Sequence, residues 1–177
     1  MGTQTTGVRV VGPADGEAGS LGSIGVRFMI DGVDVQDGGF SLVEHPMPPR
    51  RLAAPLHKHS REDEYSYVLT GRMGALLGDD VVEAGSGDLV FKPRDQWHTF
   101  WNAGDEECRI LELIAPAGFE DFFRELVRLG GASKEGPGPD ALAELGARYG
   151  LEFDFGSVPG LCERFGVTFG EDVPPAV

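Results

Sequence analysis

At 177 residues, 41 % of them apolar and 25 % charged, the chain is long enough for one domain with a real core and has a globular composition. Its net charge of −14 repels phosphate backbones and anionic lipid, which argues against nucleic-acid and membrane partners. No apolar run approaches the ~20 residues a bilayer span requires, and Met1 to Val11 lacks the features of a signal peptide.

Twenty-seven glycines, about twice the usual share, point to many tight turns and many short strands. Residues 1–23 read as a strand at Val8 to Val11 followed by a loose stretch, Gly12 to Gly22. Ile24 to Ile30 and Phe40 to His45 then read as strands, separated by the turn signals Asp31-Gly32 and Asp37-Gly38-Gly39. Met47-Pro48-Pro49 breaks the pattern and opens a loop leading past Pro55 into His57-Lys58-His59. Glu64 to Thr70, Arg72 to Leu77, Val81 to Glu83, Asp88 to Lys92, Trp97 to Trp101 and Cys108 to Ala115 follow as further strands. Turn signals every 8 to 12 residues suggest an antiparallel sandwich or barrel.

The pattern changes at Pro116. Gly118 to Leu129 carries a helical apolar stripe that stops at Gly130-Gly131, and Ser133 to Pro139 reads as a linker. Asp140 looks like the N-cap of a helix over Ala141 to Tyr149, ended by Gly150, and a last helix runs from Pro159 to Phe165. Residues 116–177 are therefore expected to form a helical extension packed on a barrel of residues 24–115. Cys108 and Cys162 make no disulfide framework; Cys108, in an apolar strand pattern, reads as a buried thiol, and the expected location is the cytoplasm.

Three of the four histidines form one pattern. Side chains alternate along a strand, so His57 and His59 project from the same face about 7 Å apart. Glu64 and His98 lie on later strands that can close on the same point. Three imidazoles and one carboxylate make a site for one divalent transition-metal ion. Four protein ligands nearly close a tetrahedral zinc site, so iron, manganese, nickel or cobalt is favoured, with zinc or copper also compatible. The fourth histidine, His45, reads as a solvated or hydrogen-bonded side chain.

These residues carry a resemblance. His57, His59, Glu64 and Gly71 match four of the five fixed positions of the first cupin motif, G-x5-H-x-H-x3,4-E-x6-G, with Arg51 in place of the leading glycine. Gly87, Pro93, His98 and Asn102 match the second, G-x5-P-x-G-x2-H-x3-N, with Asp95 replacing the inner glycine. The chain thus resembles the small single-domain bacterial cupins, most closely the quercetin-dioxygenase-like group. The resemblance implies an antiparallel jelly-roll β-barrel with His57, His59, Glu64 and His98 as metal ligands, and a homodimer as the assembly. Glu62 does not fit the motif's spacing, and strand parity sends Asp63 outward.

Parity also places Ser66 with Glu64, and Phe100 with His98, on the inner face. Phe91, Phe100 and Ser66 are the expected substrate-contacting residues, joined by Leu42, while Trp97, Trp101, Tyr65 and Tyr67 point the other way. Arg27, Arg72 or Lys92 would serve as an anion clamp if turned inward. The Phe119-Phe122-Phe123-Leu126 stripe reads as core that covers a barrel mouth. The expected function is a metal-dependent dioxygenase or other oxidoreductase acting on a small, partly apolar, phenolic or enolic molecule, with Glu64 as ligand and proton acceptor. Isomerase, cyclase or lyase chemistry, or non-catalytic binding of a small molecule, are the alternatives on the same scaffold.

Overall fold

The computed structural model describes residues 8–32, 38–132 and 137–170. Asp37 of the second expected turn and residues 133–136 of the expected linker lie outside them. In chain order the described strands are β1 (Ala18–Ser20), β2 (Gly25–Ile30), β3 (Ser41–Met47), β4 (Leu56–His59), β5 (Asp63–Thr70) and β6 (Arg72–Leu77). There follow β7 (Asp80–Gly85), β8 (Leu89–Lys92), β9 (His98–Asn102), β10 (Cys108–Ala115) and, beyond two helices, β11 (Leu151–Asp154). The helices are α1 (Glu120–Ala132), α2 (Pro139–Arg148) and α3 (Val158–Phe165).

The strands form two antiparallel sheets, one ordered β1-β2-β3-β10-β5-β8 and the other β11-β4-β9-β6-β7. Together they make the expected jelly roll. Alternation decides which side chains enter it: along β10, Cys108, Ile110, Glu112 and Ile114 are buried while the residues between them are half-exposed. Gly71, Gly87 and Asp95 all take positive φ (79°, 94° and 63°), so the aspartate in the glycine's place does adopt the left-handed turn the motif requires.

One apolar cluster, built around Met47, Val68, Met73, Val90 and Ile110, fills one end of the interior. A second, in which Phe119, Phe122 and Phe123 of the α1 segment meet Val43, Ile114 and Leu151, closes the other. A third lies under α3, where Trp101 stacks on Phe165 with ring centroids 3.9 Å apart. Burial of the α1 stripe is what holds that helix to the sheets. Its start is fixed by Glu120, whose carboxylate accepts hydrogen bonds from the backbone N–H of Gly118 (2.7 Å) and Gly32 (2.6 Å).

Three expectations need correction. Val8 to Val11 form no strand, and Val8 and Val10 are exposed; the N-terminal strand is β1, inside the stretch read as loose. It is poor in side chains because α1 lies against it: a Cβ on Gly19 would come within 2.7 Å of the Val127 methyls. Helix α2 begins at Pro139 with Gly138 as its N-cap and no side-chain cap bond, which places Asp140 inside the first turn. The extension is not purely helical, since β11 pairs with β4 in the register Leu151↔His59 and Phe153↔His57.

Candidate metal centre

Neighbouring strands bring the expected donors together. His57 and His59 point inward from β4, His57 is directly opposite His98 of β9, and Glu64 enters from β5 of the other sheet. All four are buried, and one donor atom from each lies within 4.8 Å of the others. The His57 and His98 rings have centroids 4.3 Å apart. The fifth candidate, Glu62, is buried behind His59 with Oε2 3.7 Å from Nδ1, and Asp63 faces outward to pair with Arg94.

The hydrogen bonds around the cluster fit an ion. Nδ1 of His57 lies 2.8 Å from the Pro55 carbonyl oxygen, and Nδ1 of His98 lies 3.0 Å from that of Gln96. Donation there leaves each Nε2 with its lone pair. Yet Nε2 of His98 is 3.1 Å from Oε2 of Glu64, so both ring nitrogens face oxygen acceptors. A neutral imidazole has one N–H and satisfies one of them. Burial holds His98 below its ordinary value and, with repulsion from His98 and His59, holds His57 well below its own. The imidazolium that would resolve the conflict is thereby disfavoured. Both ring nitrogens of His59 are buried without a hydrogen-bond partner among the described residues, Nε2 standing 3.4 Å from Oε1 of Glu64. A cation at the cluster would take one nitrogen from each imidazole together with the Glu64 carboxylate and relieve the conflict at His98, so the residues present fit a divalent transition metal.

A second polar layer lies behind the first. Lys92, 1 % exposed, places Nζ 2.9 Å from Oε2 of Glu64 and 3.0 Å from Oε2 of Glu112. Ser66 donates to the same Glu112 oxygen at 2.7 Å. Burial alone would raise the Glu64 carboxyl, but Lys92, His59 and His98 outweigh it and hold it well below the carboxylate range. Burial pushes Glu112 up to about 7 against the pull of Lys92, with the charge of Glu64 adding to the rise. One ammonium shared by two carboxylates leaves one of them under-compensated, and Glu112 is that one.

Both layers face a cavity of about 760 Å³. His57, His59, Glu64, His45 and Glu112 form its polar inner wall, and the rest is mostly apolar, including Phe100, Phe119, Phe122, Phe123 and Phe153. Towards the outside it reaches Phe169, which is 38 % exposed. The α1 stripe thus covers a mouth of the barrel.

Of the expected substrate contacts, Phe100 borders this cavity. Phe91 does not: it is 48 % exposed and stacks on Tyr65 on the outer face, because the inward positions of β8 are Val90 and Lys92. Ser66 is inward but does not line the cavity, its hydroxyl being spent on Glu112. Leu42 is likewise not part of the lining. Among the cationic candidates Lys92 is turned inward, whereas Arg27 pairs with Glu44 and Arg72 lies at the surface near Glu83. Glu112, Phe153 and His45 are the wall residues the sequence reading missed or set aside, and Lys92 stands behind Glu64 and Glu112 rather than on the wall.

His45 is buried, with Nδ1 2.9 Å from the Gly25 carbonyl oxygen and its ring edge-on to Phe123. Burial lowers it to about 4 from an ordinary 6.5. The unfolded chain therefore takes up a proton in that window that the folded chain refuses, and stability falls as pH drops through it. The expected loss is about 3 kcal/mol. In metal-free protein, where His57 and His98 add to the same trend, His45→Gln should make the fall of the denaturation midpoint between pH 6.5 and 4 shallower; an unchanged slope would assign the loss elsewhere.

Comparison with known proteins agrees with this architecture. The family model described as "Cupin domain" matches residues 43–114. Among solved structures the chain is similar to the polyketide cyclase RemF from Streptomyces resistomycificus, at 32 % identity and a TM-score of 0.52, over 63 % of this chain and 80 % of that one. It is also similar in fold to Pac13 of Streptomyces, described as a nucleoside dehydratase, at 17 % identity and a TM-score of 0.51, over 65 % and 88 % of the two chains. Polyketide synthase CurC from Streptomyces cyaneus is 30 % identical over 78 residues, 44 % of this chain and 49 % of that protein. The chain thus spans about half the length of that curated relative. This protein is a cupin. The quercetin-dioxygenase-like group is not distinguished by these matches. No helix among the described residues is long and apolar enough to cross a membrane.

Proposed function

We propose that this cupin is a metal-dependent cyclase of the polyketide type, acting on a flat, largely apolar molecule that carries enolisable carbonyl groups. The observation that carries the reading is the His57, His59, Glu64 and His98 cluster, of which the first three line an aromatic-walled cavity. Its volume of about 760 Å³ suits a multi-ring ligand rather than a two- or three-carbon acid. The likeness to RemF, at 32 % identity, supports the same class.

His57, His59, Glu64 and His98 would hold the ion. When bound, it would supply Lewis acidity, polarising a carbonyl or phenol oxygen presented to it. The phenyl rings of Phe119, Phe122 and Phe123 exclude water and give a flat substrate surfaces on which to stack. Lys92 keeps Glu64 ionised and fixes its direction through a 2.9 Å contact. Nothing in this scheme needs an oxidant, and it is preferred over the dioxygenase reading because RemF, 32 % identical over 63 % of this chain, is described as a polyketide cyclase.

The test is anaerobic turnover. Protein loaded in turn with zinc, iron, manganese, nickel and cobalt is given an aromatic poly-β-ketone precursor, with products read by mass spectrometry. A product isomeric with the precursor, or lighter by water, formed without oxygen and abolished by a chelator, is the expected result. Product formed only with stoichiometric oxygen uptake would move the protein to the dioxygenases. Tight binding without any turnover would make it a carrier.

A further inference from the structure

We infer that Glu112 is the catalytic base of this cavity, the group that takes a carbon-bound proton from the substrate and returns it to oxygen. The inference rests on the cyclase reading and assigns its proton transfer to a residue outside the metal motifs.

The two oxygens of Glu112 are in different situations. Oε2 is anchored by the Lys92 ammonium at 3.0 Å and the Ser66 hydroxyl at 2.7 Å. Oε1 is buried and has no hydrogen-bond partner among the described residues. A buried polar atom left unsatisfied costs about 1–3 kcal/mol, so an anchored carboxylate with one idle oxygen is an expensive arrangement unless something arrives to use it. Glu112 is one of the residues of the cavity wall.

The other candidates are committed elsewhere. Glu64 has Oε2 3.1 Å from His98 and 2.9 Å from Lys92, and its place in the donor cluster commits it to the ion rather than to a substrate proton. His45 is held by the Gly25 carbonyl oxygen, and its low basicity, near 4, suits a neutral wall residue. Lys92 touches both Glu64 and Glu112 through one nitrogen, which sets the Glu112 carboxylate beside the donor cluster. A molecule that places a carbonyl oxygen at the cluster therefore brings the adjacent carbon towards Glu112.

The step balances within one molecule. The C–H bond between two carbonyls breaks, the proton passes to Oε1 of Glu112, and the electron pair stays on the substrate as the enolate. The enolate carbon then forms a C–C bond to a second carbonyl carbon of the same molecule. The oxygen of that carbonyl takes the proton back from Glu112, which returns to the carboxylate.

A probe that exchanges but does not cyclise separates this inference from the reading beneath it. Acetylacetone in D₂O, with metal-loaded protein, reports α-hydrogen exchange by NMR. Glu112→Gln is expected to slow the exchange catalysed by the wild type by about 100-fold or more while metal content per chain and acetylacetone affinity stay within twofold. Glu112→Asp keeps the charge but withdraws the oxygen, and about a tenfold loss with metal retained is expected; it carries the test if the glutamine variant fails to fold. Exchange by either variant within threefold of wild type would overturn the inference, as would loss of the metal from both, or wild-type exchange no faster than the free ion alone. Exchange by wild type without ring closure of the longer precursor would sink the cyclase and leave Glu112 as the base. Ring closure undiminished in Glu112→Gln would do the reverse.

Discussion

His98→Ala should lose its metal. Three neutral imidazoles and one carboxylate are what the site offers, and His98 is the only one of the four contributed by β9, directly opposite His57. Loss of a residue that merely orients a ligand already lowers metal affinity by about 10–100-fold. Loss of a ligand itself is expected to exceed that range, and turnover should fall with occupancy. The measurement is metal content per chain after dialysis against a competing chelator, alongside an intact circular dichroism spectrum. A His98→Ala protein that keeps one ion per chain and its activity would remove the proposed ligand set.

The second large effect is on folding. Lys92 is buried and shares its single charge between two buried carboxylates through one nitrogen. Lys92→Met keeps most of the side-chain volume and removes the cation, which leaves Glu64 and Glu112 facing each other's charge without compensation. Breaking a buried ion pair from one side typically destabilises by about 3–5 kcal/mol. For a chain of this length that is a drop in Tm of roughly 10 °C or more. The sign with pH is fixed. Without the ammonium both carboxyls rise further in the folded protein than in the unfolded chain, so the folded state gains protons as pH falls, and the defect should be worst at neutral pH and ease towards pH 5. Adding Glu112→Gln to Lys92→Met should recover part of the loss. A single variant within 1 kcal/mol of wild type would mean that the ammonium contributes little there.

These two expectations differ in how far the chain itself announced them. The four donors were readable because a two-residue step on a strand and a fixed distance to Glu64 are local facts, and the motif carries His98 along with them. Phe91 was read the wrong way round for a sound reason, and Lys92 was left open as a clamp that would serve if turned inward. An apolar side chain is normally the inward one and a lysine the outward one, and β8 inverts this because two carboxylates are waiting inside. The burial of that charge depends on Glu64 and Glu112, neither of which is near it in sequence. Glu112 left a clearer signal: it stands at an inward position of β10, between Ile110 and Ile114, where an apolar residue is expected. An acid inside an apolar register is worth more attention than the register. β11 was missed because four residues between helices seldom read as a strand, though Leu151 and Phe153 alternate with Glu152 and Asp154.

That short strand ties the two ends of the chain's architecture together. Its backbone covers the outer edge of β4, the strand bearing His57 and His59, and Phe153 supplies part of the ceiling over them. A shorter version of this protein cut after the barrel would bare the hydrogen-bonding groups of the very ribbon that aims two imidazoles, and would open their chamber to water. The appended segment is therefore an integral wall of the reaction vessel, and transplanting the chemistry to another scaffold would require carrying it along.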